Sequence, residues 1–168
     1  MDSPAYEGFP ARMVLVCVLF ILSIYILGAA ILFRFGLIWS VLYLLIVLLL
    51  ELRLMRGHCT DCRYYGKTCA FARGRLSALL FPKGDPDRFS RMTITAKDFV
   101  PDFLVFIVPV LAGIVLLVTG FSWLLLLEVA ILLLLGFAGN GLVRGRIACR
   151  YCRQREIGCP AQRLFEKR

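Results

Sequence analysis

Charged residues vanish from four stretches of the chain, 13–33, 35–50, 103–127 and 129–143. Each stretch is continuous and Leu-rich, without the alternation that marks a membrane strand. A helix needs about 20 apolar residues to cross the hydrocarbon of a bilayer. The pattern predicts spanning helices at 13–33, 36–55, 103–119 and 121–143, paired as two hairpins. Arg34-Phe35-Gly36 breaks the first pair with a charge and a flexible residue, and Thr119-Gly120-Phe121-Ser122 breaks the second without a charge. Gly28-Ala29-Ala30 has the small side chains of a signal cleavage site. The apolar run before it is too long for a signal peptide, and Asp2 and Glu7 precede it beside Arg12, so the first helix is expected to be retained.

Composition agrees with a membrane protein. Of the 168 residues 60% are hydrophobic, and the mean hydropathy is +0.81. A soluble domain carries far more polar surface. Of the 20 Lys and Arg residues, ten fall in 51–102 and eight in 144–168, while the hairpin turns hold only Arg34. Basic flanks mark the cytoplasmic side, which places both termini and the central segment there. The net charge of +9 is then a topology signal that faces anionic lipid headgroups. No nucleic-acid motif accompanies it, so no nucleic-acid partner is expected.

The cysteines add a repeat. Cys59, Cys62 and Cys69 form C-x2-C-x6-C, and Cys149, Cys152 and Cys159 repeat it at a displacement of 90 residues. Arg56 then matches Arg146 and Arg63 matches Arg153, so both modules read R-x2-C-x2-C-R-x5-C. The same shift lays one hairpin over the other, which reads as an internal duplication. The expected fold is an all-α integral membrane protein: four transmembrane helices as two tandem hairpins, each followed by a cytoplasmic Cys module. Its divisions are an N-terminal segment 1–12, hairpin one 13–55, module one with an interfacial helix 56–81, a linker 82–102, hairpin two 103–143, and module two with the tail 144–168. Because each hairpin crosses twice, the modules share one face, related by a pseudo-two-fold axis along the membrane normal.

Cytoplasmic thiols stay reduced, so disulfides explain these cysteines poorly. Two cysteines separated by two residues close on one ion, the geometry that zinc and iron–sulfur sites use. A zinc ion needs only Cys59, Cys62, Cys149 and Cys152, leaving Cys69 and Cys159 spare. An iron–sulfur cluster in each module uses all three cysteines of that module and lacks a fourth protein thiolate. His58, Asp61, Glu156 or solvent is then the fourth ligand, with His58 the natural addition in module one and Ala148 in its place in module two. Duplication of all three cysteines favours iron–sulfur over zinc, with redox-active thiols as a further alternative. Arg56, Arg63, Arg146, Arg150 and Arg153 offset the negative charge of such a centre, and nearby cations favour thiolates.

Single residues add less. Cys17 has no counterpart and reads as a packing residue. Glu128 is the one acid inside an apolar run, either a functional carboxylate or a side chain reaching the outer interface. Residues 71–81 mix bulky apolar side chains with arginines, as a helix in the headgroup layer does, and 161–165 offer a shorter counterpart. No phosphate loop, nucleophile elbow or carboxylate pair is present, so a stand-alone enzyme is not expected. The expected function is a membrane-anchored iron–sulfur electron carrier working with a redox complex or other membrane partner; a zinc-tied scaffold is the alternative. A small transporter or metal-handling protein is the weaker alternative, since no Cys or His path crosses the membrane.

The topology makes a direct prediction. A membrane-impermeant maleimide applied to intact cells leaves the six module cysteines unlabelled, and permeabilisation exposes them. Strong labelling from outside reverses the orientation.

Overall fold

The computed structural model describes residues 5–92 and 96–159. Among them the chain is helical, and its one extended pairing is an isolated bridge between Tyr6 and Cys152. α1 spans Ala11–Phe33 and α2 spans Leu37–Leu54, with a three-residue turn between them containing Gly36 at φ +128°. α2 continues through a π-helical turn, Met55–Cys59. α3, Arg73–Leu80, and α4, Pro86–Arg91, are short, and Asp85 caps α4 by accepting from the N–H of Asp87. α5, Ala96–Thr119, and α6, Trp123–Leu134, follow. Beyond α6 the helix runs on through wide turns at Leu135–Gly139 and Val143–Ala148.

Three of these stretches are long and apolar enough to cross a membrane: Ala11–Phe33, Leu37–Cys59 and Trp123–Tyr151. α5 offers a shorter apolar stretch, Phe103–Thr119. At 1.5 Å per residue its length is about 26 Å, somewhat less than the roughly 30 Å of bilayer hydrocarbon. Helix boundaries differ from the sequence expectation at the charged ends. The helices pass Arg53 and Arg56, and Arg144 and Arg146, before ending, and α5 begins at Ala96 within the expected linker. Charge marks the edge of the apolar layer; it does not end a helix, because Arg is a good helix former. The expected helix at 161–165 lies outside the described residues.

The chain forms two compact units. One contains Leu19–Glu51 and Ala96–Gly141. Its core is Ile31, Val110, Leu125, Val129 and Leu132, with Leu32, Tyr43 and Val47 forming a second cluster. Small residues let these helices approach. A Cβ at Gly28 would strike Tyr43, one at Gly113 would strike Val129, and one at Gly136 would strike Phe106. Tyr43 donates to the carbonyl of Val105 at 3.0 Å, and Ser40 to that of Ala29 at 3.1 Å. Outside this core, leucines, isoleucines and valines on all of these helices remain exposed, Val118 at 83% and Leu49 at 64%. A soluble monomer does not present apolar surface on this scale, whereas lipid covers it without cost.

Glu128 is answered by this unit. Arg34 in the first turn donates through Nη2 to both of its carboxylate oxygens at 3.1 Å. Two sequence-distant charges inside apolar surroundings thus neutralise each other. Tyr25 likewise donates to Glu51.

Replacing Arg34 by Ala strands the Glu128 carboxylate, at a cost of about 1–3 kcal/mol for a pair this incompletely shielded. Thermal unfolding in detergent should show Arg34→Ala less stable than the double variant with Glu128→Ala. Equal stabilities would mean that the stranded carboxylate carries no penalty.

Candidate metal centre

The second unit takes the described residues of Met1–Val18, Leu52–Thr95 and Leu142–Arg168. It therefore holds all six module cysteines, which the sequence separates by up to 100 residues (159 − 59). The two C-x2-C turns share a pattern of backbone hydrogen bonds. Each follows a π-helical turn, with the N–H of Thr60 donating to Met55 O and that of Cys149 to Arg144 O. Cys62 N–H then donates to Cys59 O at 3.4 Å, and Cys152 N–H to Cys149 O at 3.2 Å. Tyr65 N–H donates to Cys62 O at 2.9 Å, and Arg155 N–H to Cys152 O at 3.1 Å. Every one of the last four positions in module two equals its module-one position plus 90.

The modules also grip one another reciprocally. Arg63 N–H donates to Gln154 Oε1 at 2.9 Å, while Arg153 N–H donates to the hydroxyl of Tyr64 at 3.0 Å. Arg63 and Arg153 are repeat partners, as are Tyr64 and Gln154. A contact in which each half gives what it receives is the signature of a two-fold relation. The side chains differ, but each supplies an oxygen at the same place. Tyr64 and Gln154 are buried, so these acceptors are not exposed to competition from bulk water.

The sulfurs sit beside this seam. Cys62 Sγ lies 3.8 Å from Gln154 Oε1. Burial pushes the Cys62 thiol up, opposed by the backbone N–H groups of Tyr64 and Arg63 and assisted by neighbouring Cys69 and Cys159. Burial pushes Cys152 further, to about 12, opposed by the N–H of Gln154 and assisted by Cys62, Cys159 and Cys149. The same backbone donor, two residues on, thus points at the repeat-equivalent sulfur in each module. In module one the third cysteine, Cys69, accepts from the N–H of Gly74 at 3.3 Å, in the first turn of α3. A Cβ at Gly74 would strike the carbonyls of Tyr64 and Lys67, so only glycine lets α3 come this close.

Other predicted residues are placed as follows. No disulfide joins the described cysteines, and Cys17 is fully buried in α1 as a packing residue. His58 adjoins Cys59 with its Nδ1 buried and without a hydrogen-bond partner. Asp61 is buried and turned toward the linker, accepting from Asp85 N–H at 3.1 Å and facing Arg88 at 3.9 Å. It is thus a structural clip for Gly84–Asp85. Arg56 and Arg146 are exposed, and the Arg63 and Arg153 guanidiniums both face Glu7. Burial raises the thiols of Cys62 and Cys152, and what opposes it is backbone N–H groups rather than the guanidiniums expected from sequence. The expected helix of module one is present as α3, with Leu76, Leu79 and Leu80 exposed and Gly74 and Ser77 buried.

Among the described residues, no three Cys, His, Asp or Glu side chains converge closely enough to hold an ion as they stand. The donor chemistry nonetheless suits a soft metal: sulfurs from both modules, backbone N–H groups aimed at them, and a buried imidazole nitrogen without a partner. What sequence reading missed is Glu7, Tyr64 and Gln154. The only available signal was that Tyr64 and Gln154 occupy matched positions after a matched arginine. In comparisons with known proteins, no family model matches the chain, and neither does any curated protein or solved structure.

The metal-free protein should show protected thiols. Alkylation of folded Cys152 by iodoacetamide is slow at pH 7 and rises between pH 9 and about 12, because its proton is held above the ordinary 9.0. The sign for stability follows. A raised folded pKa contributes stability that is fully present below pH 9 and is lost as pH climbs through about 12. Peptide mapping that finds Cys152 fully alkylated at pH 7 within the time free cysteine needs would contradict this.

Proposed function

We propose that this is a multi-pass membrane protein whose two cytoplasmic cysteine modules jointly hold one metal–thiolate centre, serving electron transfer as an iron–sulfur cluster. The observation that carries the reading is the reciprocal hydrogen bonding of Arg63 with Gln154 and Arg153 with Tyr64. It sets the loops of Cys62 and Cys152 face to face, each sulfur with a backbone donor from two residues on. Four thiolates make a complete ligand set for one cluster. Cys59, Cys62, Cys149 and Cys152 supply it, with Cys69, Cys159 and His58 beside them. A cluster held there would supply one-electron chemistry. The protein's residues would bind it, tune it through N–H donors to sulfur, and keep it close to the bilayer.

Orientation and the fourth span belong to this proposal. The basic segments favour a cytoplasmic position for the modules, and in this reading α5 crosses beside α6 through its apolar stretch Phe103–Thr119. Matched turns at Cys59–Cys62 and Cys149–Cys152 support an origin by duplication. The partners are a soluble donor and a membrane acceptor, a quinone or a larger redox complex. The same seam favours a second reading. Two modules interlocked across a pseudo-axis also suit a tetrahedral zinc cross-link in a scaffold subunit.

Metal analysis separates them. Anaerobically purified protein should be brown, with iron and acid-labile sulfide, and Cys62→Ser and Cys152→Ser should each abolish the colour. Loading at pH 7 should release protons from these thiols. A colourless protein carrying one zinc favours the scaffold. Loss of half the colour per variant indicates a separate cluster in each module. Free thiols and no metal after anaerobic reconstitution overturn both readings.

A further inference from the structure

The N-terminal residues before α1 run as a strap across both modules. Tyr6 N–H donates to Tyr151 O at 3.0 Å, in module two. Tyr64 OH donates to Tyr6 O at 2.6 Å, and Phe9 N–H donates to Thr68 O at 2.9 Å, both in module one. Rings seal the crossing: Tyr6 stacks on Tyr151 with centroids 5.3 Å apart, and Phe9 on Tyr64 at 5.6 Å.

Between these anchors the strap presents Glu7. Its Oε1 faces Arg153 Nη1 and also Arg63 Nη2 at 3.6 Å, and its Oε2 accepts from Lys67 Nζ at 3.1 Å. The two arginines are repeat partners, so one carboxylate lies where the pseudo-symmetry brings two like charges together. Glu156 is the other acid in the cluster, at 3.5 Å from Arg153 Nε. Without Glu7, three cations would face a single acid, and Arg63 and Lys67 would have no carboxylate among these contacts. Like charges brought together repel, and partial exposure screens the repulsion without removing it.

The same two arginines do a second thing. Their backbone N–H groups make the reciprocal bonds of the seam, and Cys62 and Cys152 immediately precede them. Each arginine is therefore held by its backbone to the opposite module and by its guanidinium to Glu7. From this we infer that Glu7 is a positioning residue, a clasp that holds the Cys62 and Cys152 loops in register for the shared centre. The inference rests on the reading that both modules serve one centre, but the clasp itself is testable without metal.

The test uses the full-length, metal-free protein in detergent. A short bismaleimide links neighbouring thiols, and peptide mass spectrometry reads the rate of Cys62–Cys152 linkage. Glu7→Gln should lower that rate about fivefold, as expected for loss of exposed ion pairs acting together. Glu7→Lys should lower it further, and Glu7→Asp should retain most of it. Raising salt should bring the unaltered protein toward the Glu7→Gln value. The rate of alkylation of Cys17, buried in α1, reports whether each variant remains folded. If Glu7→Gln does not fold, the salt titration alone decides. A linkage rate that ignores both Glu7→Gln and salt overturns the clasp. A clasp that behaves as expected in a protein that takes up no metal leaves the clasp standing and sinks the metal reading instead.

Discussion

Hydrocarbon excludes charge and unpaired backbone, and nearly every feature of this chain follows from that. A helix satisfies its own peptide groups, so the uncharged stretches become helices. Charges that remain in their neighbourhood must be answered within the protein, as Arg34 and Glu128 answer each other and as Tyr25 caps Glu51. The basic residues are pushed to the ends of the helices. With them go the cysteines, which gather in one unit although the sequence puts a hairpin between their two groups.

Specific contacts then decide what the concentrated residues do. Two loops of like cysteine spacing could drift independently, each a separate module. The reciprocal bonds at Arg63 and Arg153 oppose that, and they are effective because their acceptors are buried. The sides are not identical. Tyr64 also reaches the strap at Tyr6, whereas Gln154 Nε2 turns to the carbonyl of Gly158. A nearly symmetric pair closed by one asymmetric segment has a single favoured register, in the way that one polar group fixes register in other paired folds.

Much of this was legible in the sequence, and the failures are instructive. Absence of charge located the helices because the bilayer imposes it over whole turns. Their ends were misjudged at Cys59 and Tyr151, since arginine at an interface is compatible with helix. The cysteine register was legible because identical spacing is improbable by chance. The seam was not. Tyr64 and Gln154 share no chemistry that a pattern would flag; each only offers a side-chain oxygen to an N–H of the other module. Glu7 was read only as an acid arguing against a signal peptide, because nothing local connects it to residues 63 and 153.

The state of the thiols ties the two levels together. Sequence reading expected arginines to favour thiolates, yet the guanidiniums of Arg63 and Arg153 face the carboxylate and burial keeps Cys62 and Cys152 protonated. These are not inconsistent arrangements. A buried, neutral sulfur is a poor nucleophile and resists adventitious oxidation, which protects the metal-free chain. Binding a cation there would remove the desolvation penalty on the thiolate, because the charge would then be paired. The N–H groups of Tyr64, Gln154 and Gly74 already point at sulfur, and the sulfurs themselves would have to draw closer to share an ion. On that argument, arginines held by Glu7 would serve the proposed centre better than arginines held by sulfur. They would keep the Cys62 and Cys152 loops together before any ion arrived, and leave deprotonation to the ion itself.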